Sequence, residues 1–162
     1  MKIEDLEHEV EWSQDEFGES DWLGEFSTVW KNDDSIKIEN PNWRWFDEKY
    51  LYFTPMNRVR DHLTFLHKSG MAKGPAWELA NEYVRSDLKR LTEYNQDYWH
   101  MAQCLVSVSY AGLTGTACLC GIESDCGDDY RSEIEKELLG EAQDNLVSLI
   151  DHAQVAFQEI EL

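Results

Sequence analysis

Four cysteines and a nearby histidine in the second half of the chain have side chains that could bind a metal: Cys104, Cys118, Cys120, Cys126 and His100. Zinc prefers thiolate and imidazole ligands, but structural zinc sites usually pair their cysteines as Cys-x2-Cys, and that spacing is absent here. We expect Cys118 and Cys120 on the apolar face of a strand, where thiols behave as small hydrophobic groups. The sequence therefore predicts reduced cysteines and no metal cofactor.

A second cluster, loop 123–129, places four carboxylates within seven residues. Carboxylate oxygens bind Ca2+ or Mg2+, but the spacing does not match the calcium loop of an EF-hand. Helix capping accounts for Asp128 and Asp129, because a helix N-terminus favours a negative charge. A metal-dependent enzyme that uses Glu123–Asp129 is therefore the less favoured alternative.

Enzymatic motifs are missing from the rest of the chain. The 5 histidines are scattered, and none lies in a metalloprotease or nucleophile-elbow pattern. There is no glycine-rich phosphate-binding loop, and Ser107 and Ser109 lie in strand-like sequence without a glycine elbow. The sequence predicts a protein that is not an enzyme and needs no cofactor.

The charge is the most informative feature of the composition. The 162 residues carry 33 acidic and 14 basic side chains, for a net charge of −19. Residues 1–25 hold ten acids against one lysine, residues 121–162 hold twelve acids against two bases, and the segment between them is neutral. Such a charge repels phosphate, so it excludes nucleic acid and anionic membranes as direct partners.

Carboxylates on an ordered surface resemble the phosphate array that nucleic-acid-binding proteins recognise. We therefore expect a basic, nucleic-acid-binding protein as the partner, bound through acids of both termini. Solvation of exposed helix faces is the competing explanation of such charge runs. The candidate binding residues are Glu9, Glu11, Asp15, Glu16, Glu19, Asp21, Glu133, Glu137, Glu141, Asp144 and Asp151.

Residue patterns predict an α+β fold in one domain, residues 1–162, with a small antiparallel sheet packed against three helices. Residues 1–24 form an acidic, aromatic-containing segment docked on this domain, which we expect to be a short helix followed by a loop. The expected strands are a hairpin near 26–39, a short strand at 49–53 and a hairpin near 103–122, and the expected helices span about 55–69, 75–95 and 129–158.

Local patterns give further detail. Thr54 and Pro55 are expected to cap and begin the first helix, and Trp77 to lie on the buried stripe of the second. A five-residue loop in the second hairpin would place Cys104, Cys118 and Cys120 on one face beneath the last helix. We expect no signal peptide, because the first residues are acidic and lack an apolar run, and no apolar run is long enough to cross a membrane. These features predict a soluble cytoplasmic protein.

Two short motifs resemble those of an uncharacterised family of small acidic proteins encoded by bacteriophages, prophages and mobile elements. The motifs are Tyr-Asn-x-x-x-Trp at 94–99 and Gly-Ile-Glu-Ser-Asp at 121–125, and the similarity spans about residues 42–150. The hairpin departs from the family pattern at Cys118 and Cys120, where a Leu-Trp-like pair is more usual. The resemblance implies a phage-type setting in a bacterial host and transfers no catalytic residue.

Together, the charge and the resemblance lead to one functional hypothesis. The protein binds and inhibits a basic, nucleic-acid-handling host protein, as an anti-CRISPR protein, an anti-restriction protein or a nuclease inhibitor does, including by DNA mimicry. The alternative from another class is a phage accessory protein that self-associates through apolar surface without inhibiting anything. The oligomeric state stays open at this point.

Overall fold

The structure is a computed structural model that describes residues 6–38 and 50–158. The chain forms two compact units: unit 1 comprises Met1–Gly18 and His100–Leu162, and unit 2 comprises Glu19–Trp99. Within the described ranges the elements are β1 (His8–Gln14), β2 (Gly24–Ser27), β3 (Ile36–Lys37), β4 (Tyr52–Pro55), α1 (Val59–Lys68), α2 (Lys73–Asn95), β5 (Met101–Tyr110), β6 (Leu113–Glu123) and α3 (Asp128–Gln158).

Unit 1 is an antiparallel sheet in the order β1-β5-β6 with α3 packed on one face. The sheet contributes small and β-branched side chains to the core, and α3 contributes apolar residues spaced four apart, which is one face of a helix. The buried core of this unit is Cys104, Val106, Val108, Ala117, Ile122, Ile134, Leu138, Ala142 and Leu146. The opposite face of the sheet is not covered by α3.

Strand β1 corrects the expected short helix at the N-terminus. It pairs antiparallel with β5, so that Val10 lies opposite Val106 and Trp12 opposite Cys104. These two β1 side chains are two residues apart and share the α3-facing side of the sheet. The acid between them, Glu11, lies on the opposite side, so the alternation typical of a strand is present in the sequence. Trp12 also donates its indole N–H to Glu135 Oε1 at 2.6 Å, which fixes β1 to α3.

The second hairpin is present, but the predicted register is wrong. Tyr110 pairs with Leu113 across a two-residue loop, where Ala111 has φ +50° and Gly112 φ +83°. Positive φ at both central residues is the geometry of a tight type I′ hairpin turn. Alanine rarely adopts a positive φ, so the residue types at 111–112 do not predict a loop this short. The resulting three-residue shift moves Cys118 to a position opposite Leu105, on the sheet face away from α3.

Helix α3 lies directly against β6 at Gly115. A Cβ atom at this position would stand 2.2 Å from the Ala142 carbonyl oxygen and 2.5 Å from the Leu146 nitrogen. Because both neighbours are helix backbone, no side-chain rotation can relieve such a clash. Only glycine therefore permits this close packing of α3 on the sheet.

Unit 2 has a three-stranded sheet in the order β2-β4-β3 and the helix pair α1–α2. The predicted hairpin over 26–39 is wrong in its pairing, because Phe26 of β2 and Ile36 of β3 both pair with the fully buried Phe53 of β4. The expected strand at 49–53 corresponds to β4. Positions 39–49 of these predictions lie outside the described residues.

The helix predictions hold, with local corrections in unit 2. Thr54 and Pro55 belong to β4 rather than to a helix start, and α1 begins after Arg58, whose N–H donates to Asp61 Oδ2 at 3.0 Å. Helix α2 buries Ala80 and Val84, but Trp77 is 57% exposed, so its predicted burial is wrong.

The α+β class is confirmed, with two small antiparallel sheets instead of one and three helices among the described residues. The single-domain organisation stays a prediction. No helix in the described part of the chain combines the length and the apolar character needed to cross a membrane.

Candidate functional site

Five predicted binding residues lie together on the outer surface of α3, and we call them the acidic face. At about 3.6 residues per turn they fall within an arc of about 80°, turned away from the buried residues of the helix. All five side chains are exposed to solvent. The acidic face consists of Glu133, Glu137, Glu141, Asp144 and Asp151.

The acidic face is not neutralised by its surroundings. None of its carboxylates forms an ion pair with a described residue; the five ion pairs seen between described residues join side chains elsewhere. Glu137 lies one helical turn from both Glu133 and Glu141, and like charges at this spacing destabilise a helix. The surface therefore keeps its negative charge at a cost to the stability of α3.

Glu9 and Glu11 lie on the other side of the unit 1 sheet. They pair with Ser107 and Leu105, whose side chains alternate with the core residues of β5 and so point away from α3. Both glutamates are exposed. The structure therefore does not bring the acids of β1 and α3 onto one surface, although both belong to unit 1.

The other N-terminal candidates are dispersed. The Asp15 carboxylate accepts hydrogen bonds from the Gly121 N–H and the Phe17 N–H, both at 3.0 Å, so it closes a turn rather than facing a partner. Glu16 is exposed just beyond it. Glu19 and Asp21 are exposed but belong to unit 2.

The two cysteines that were expected in the core form an exposed pair on the open face of the sheet. Cys118 and Cys120 are both exposed, and their sulfur atoms are 3.9 Å apart. Cys120 also donates to Gln103 Oε1 at 3.5 Å, and the Gln103 amide donates to Ser13 Oγ at 3.0 Å. The sequence missed this pair because its position depends on the turn at 111–112.

Neither Cys104 nor Cys118 is an activated nucleophile. Partial burial raises the pKa of Cys118 above its usual range, and the hydrogen bond with Cys120 and the nearby charges of Cys120 and Asp15 raise the pKa further. Burial also raises the pKa of Cys104. Because their pKa values are raised, both thiols are protonated at neutral pH. Neither is therefore in the thiolate form, which is the reactive one.

Hydrogen bonds and helix capping explain several of the polar residues in loop 123–129. The Ser124 hydroxyl accepts from the His100 N–H at 2.9 Å, and the Arg131 guanidinium donates to the Ser124 carbonyl at 2.6 Å. Asp128 and Asp129 occupy the first turn of α3, where the helix dipole favours them. Across the residues that the structure describes, no three His, Cys, Asp or Glu side chains converge as metal ligands. The metal-dependent alternative therefore gains no support from this loop.

Comparison with known proteins adds no relative. No family model, no curated protein and no solved structure matches the chain. The resemblance to acidic phage proteins stays a prediction that rests on the two short motifs.

Proposed function

We propose that this protein is a non-enzymatic acidic inhibitor whose acidic face binds a cationic, nucleic-acid-binding surface of another protein. The observation that carries the proposal is the acidic face itself, which presents five exposed carboxylates without an ion-pair partner among the described residues. A surface that destabilises its own helix is retained most simply because it binds something, since stability is commonly sacrificed at functional sites.

The dimensions of the acidic face favour a small cationic cluster on the surface of the partner. From Glu133 to Asp151 the face runs about 27 Å along α3, at about 1.5 Å per residue. Its charges therefore lie about 7 Å apart along the axis on average, whereas duplex DNA carries one charge per about 1.7 Å. The acidic face is thus suited to a discrete cluster of arginines and lysines. If the protein mimics DNA, it imitates only the few phosphates that this cluster would bind. It does not imitate the whole length of DNA in the partner's binding groove.

The motif resemblance supports the biological setting of the proposal. In a phage-type setting the partner is a bacterial host protein that handles nucleic acid, such as a restriction enzyme, a nuclease or a CRISPR complex, and both proteins meet in the cytoplasm. We assign Glu9 and Glu11 no contact with the same partner surface, because β1 presents these glutamates on the opposite side of the sheet.

The test compares three forms of the full chain as immobilised baits in a bacterial lysate treated with nuclease, so that nucleic acid cannot bridge proteins. The first bait is the wild type. The acidic-face variant replaces the five acids of the face by their amides. The control variant carries the same net charge of about −14 and replaces five exposed acids elsewhere, which are Glu9, Glu11, Glu78, Glu82 and Asp97.

Quantitative mass spectrometry of the captured proteins distinguishes the outcomes. We expect the wild type and the control variant to enrich the same basic nucleic-acid-binding protein, which is released by salt and displaced by a duplex or RNA that it binds. The acidic-face variant should not retain it. Equal capture by the acidic-face variant, or a captured protein that nucleic acid does not displace, would contradict the proposal.

A second candidate is self-association without inhibition, which is favoured by apolar side chains exposed at the end of α3. Phe157 is 75% exposed and Val155 is 55% exposed. If this is the main function, light scattering at increasing concentration will show an oligomer. That oligomer should dissociate in Phe157→Ser and persist in the acidic-face variant.

A further inference from the structure

The exposed thiols Cys118 and Cys120 are arranged as a two-sulfur chelate. They are two residues apart on β6, so they share the face of the sheet that α3 leaves uncovered. Both side chains are exposed, which gives an ion access from solvent. Their sulfur atoms lie 3.9 Å apart.

A β-bulge holds this arrangement. The register of β5 and β6 shifts between Ala102 and Cys104, and Gly121, which follows Cys120, has φ +73°. A glycine at positive φ is typical of a bulge, which redirects side chains and is common next to functional sites. The Asp15 carboxylate fixes the bulge by accepting the Gly121 N–H at 3.0 Å. The bulge lets the side chain of Ile122 return to the core although it lies only two residues after Cys120.

The separation of the sulfur atoms matches the bite of a metal thiolate. With metal–sulfur bonds of about 2.3 Å, two sulfurs are about 3.8 Å apart in tetrahedral coordination and about 4.0 Å apart in trigonal coordination. Soft thiolate ligands select thiophilic ions such as Cu(I). We propose that Cys118 and Cys120 together chelate one thiophilic metal ion of the Cu(I) class on the open face of the sheet.

Binding forms two metal–sulfur bonds and releases the two thiol protons to solvent, and the metal keeps its oxidation state. The remaining coordination positions face solvent and are open to a further ligand. Gln103 Oε1, which accepts a hydrogen bond from the Cys120 thiol at 3.5 Å, is an oxygen beside the pair that could be such a ligand. This inference does not depend on the acidic face and concerns the opposite side of unit 1.

The test is an anaerobic titration of the fully reduced chain with Cu(I) supplied by a chromophoric chelator that reports the metal it loses. We expect the wild type to withdraw one equivalent of Cu(I). Cys118→Ser and Cys120→Ser should each bind at least about 100-fold more weakly, because the second sulfur acts intramolecularly. Cys126→Ser removes a thiol outside the pair and should bind like the wild type.

A positional control separates the proximity of the two thiols from their number. The double variant Cys120→Ser, Thr114→Cys keeps four cysteines but places the second β6 thiol four residues from Cys118, about 13 Å away along the open face of the strand. We expect it to bind as weakly as Cys120→Ser, with an unchanged far-UV circular dichroism spectrum. The proposal fails if this folded variant binds like the wild type, if Cys118→Ser retains the metal, or if the wild type withdraws none.

Discussion

The two units have the same length, 81 residues each, but very different charge. Unit 1 has 19 acids and three bases, for −16, whereas unit 2 has 14 acids and 11 bases, for −3. All five ion pairs seen between described residues lie in unit 2. Unit 2 thus shows the ordinary mixed surface of a soluble protein.

The contrast shows that the negative charge is a property of one folded unit rather than of the whole chain. Of the 22 acids in the two terminal stretches, 19 belong to unit 1, the unit that contains β1 and α3. Solvation alone does not explain this distribution, because unit 2 is of equal length and carries little net charge. Substitutions in unit 1 that alter its charges, or the packing that supports them, therefore test whether these charges have a function.

The largest expected effect comes from removing the support of the acidic face. Gly115→Val places side-chain atoms against the α3 backbone at Ala142 and Leu146, where no movement short of displacing the helix makes room. We expect a loss of about 3 kcal/mol in the free energy of unfolding, measured by urea denaturation.

Gly140→Ala is the matched control for this substitution, because a Cβ atom at Gly140 meets nothing within 4 Å. Replacing a helical glycine by alanine should stabilise the protein by about 0.5–1 kcal/mol. If Gly115→Val were as stable as the wild type, α3 would not rest on β6 as described.

A smaller effect distinguishes an acid of α3 that holds the helix to the sheet. Glu135 is half-buried and accepts the Trp12 indole N–H at 2.6 Å. Glu135→Ala leaves that donor without its acceptor and should cost about 1–2 kcal/mol in the same denaturation experiment. Glu135→Gln keeps an oxygen acceptor and should retain most of the stability. An unchanged midpoint for Glu135→Ala would show that the Trp12 contact contributes nothing.

The smallest expected effects come from removing one surface carboxylate in each unit, and the resulting changes in stability have opposite signs. Glu137→Gln relieves repulsion from Glu133 and Glu141 and should stabilise the protein by about 0.5 kcal/mol at low salt, less at high salt. Glu93→Gln in α2 removes the ion pair with Lys89, whose Nζ lies 3.6 Å from Oε1, and should cost about 0.3 kcal/mol. Thermal unfolding of the two variants side by side checks the signs. A destabilised Glu137→Gln would mean that the acidic face supports its own helix.

The sequence was most informative where the determining interactions are local. Helix α3 was predicted almost to the residue, because Ile134, Leu138 and Leu146 recur at helical spacing. The same spacing placed the acidic face on the outer side of the helix. Its carboxylates could therefore be selected from the sequence alone.

The sequence was least informative where strand pairing decides the outcome. Strand β1 pairs with β5, about 90 residues further along the chain, and no local pattern specifies that partner. The positions of Cys118 and Cys120 both depend on the two-residue turn after Tyr110, which sets the register of β6. A small change in register moves side chains to the other face of a strand, so the dithiol pair was hidden until the register was known.

The most direct test of the central claim is the affinity of the captured basic protein for the wild type, the acidic-face variant and the control variant, measured by isothermal titration calorimetry across a range of salt. The account predicts an affinity that falls steeply with salt for the wild type and the control variant. It also predicts a loss of about 100-fold or more at low salt for the acidic-face variant alone. Equal weakening of both charge-matched variants would contradict it, because net charge rather than the outer face of α3 would then determine binding.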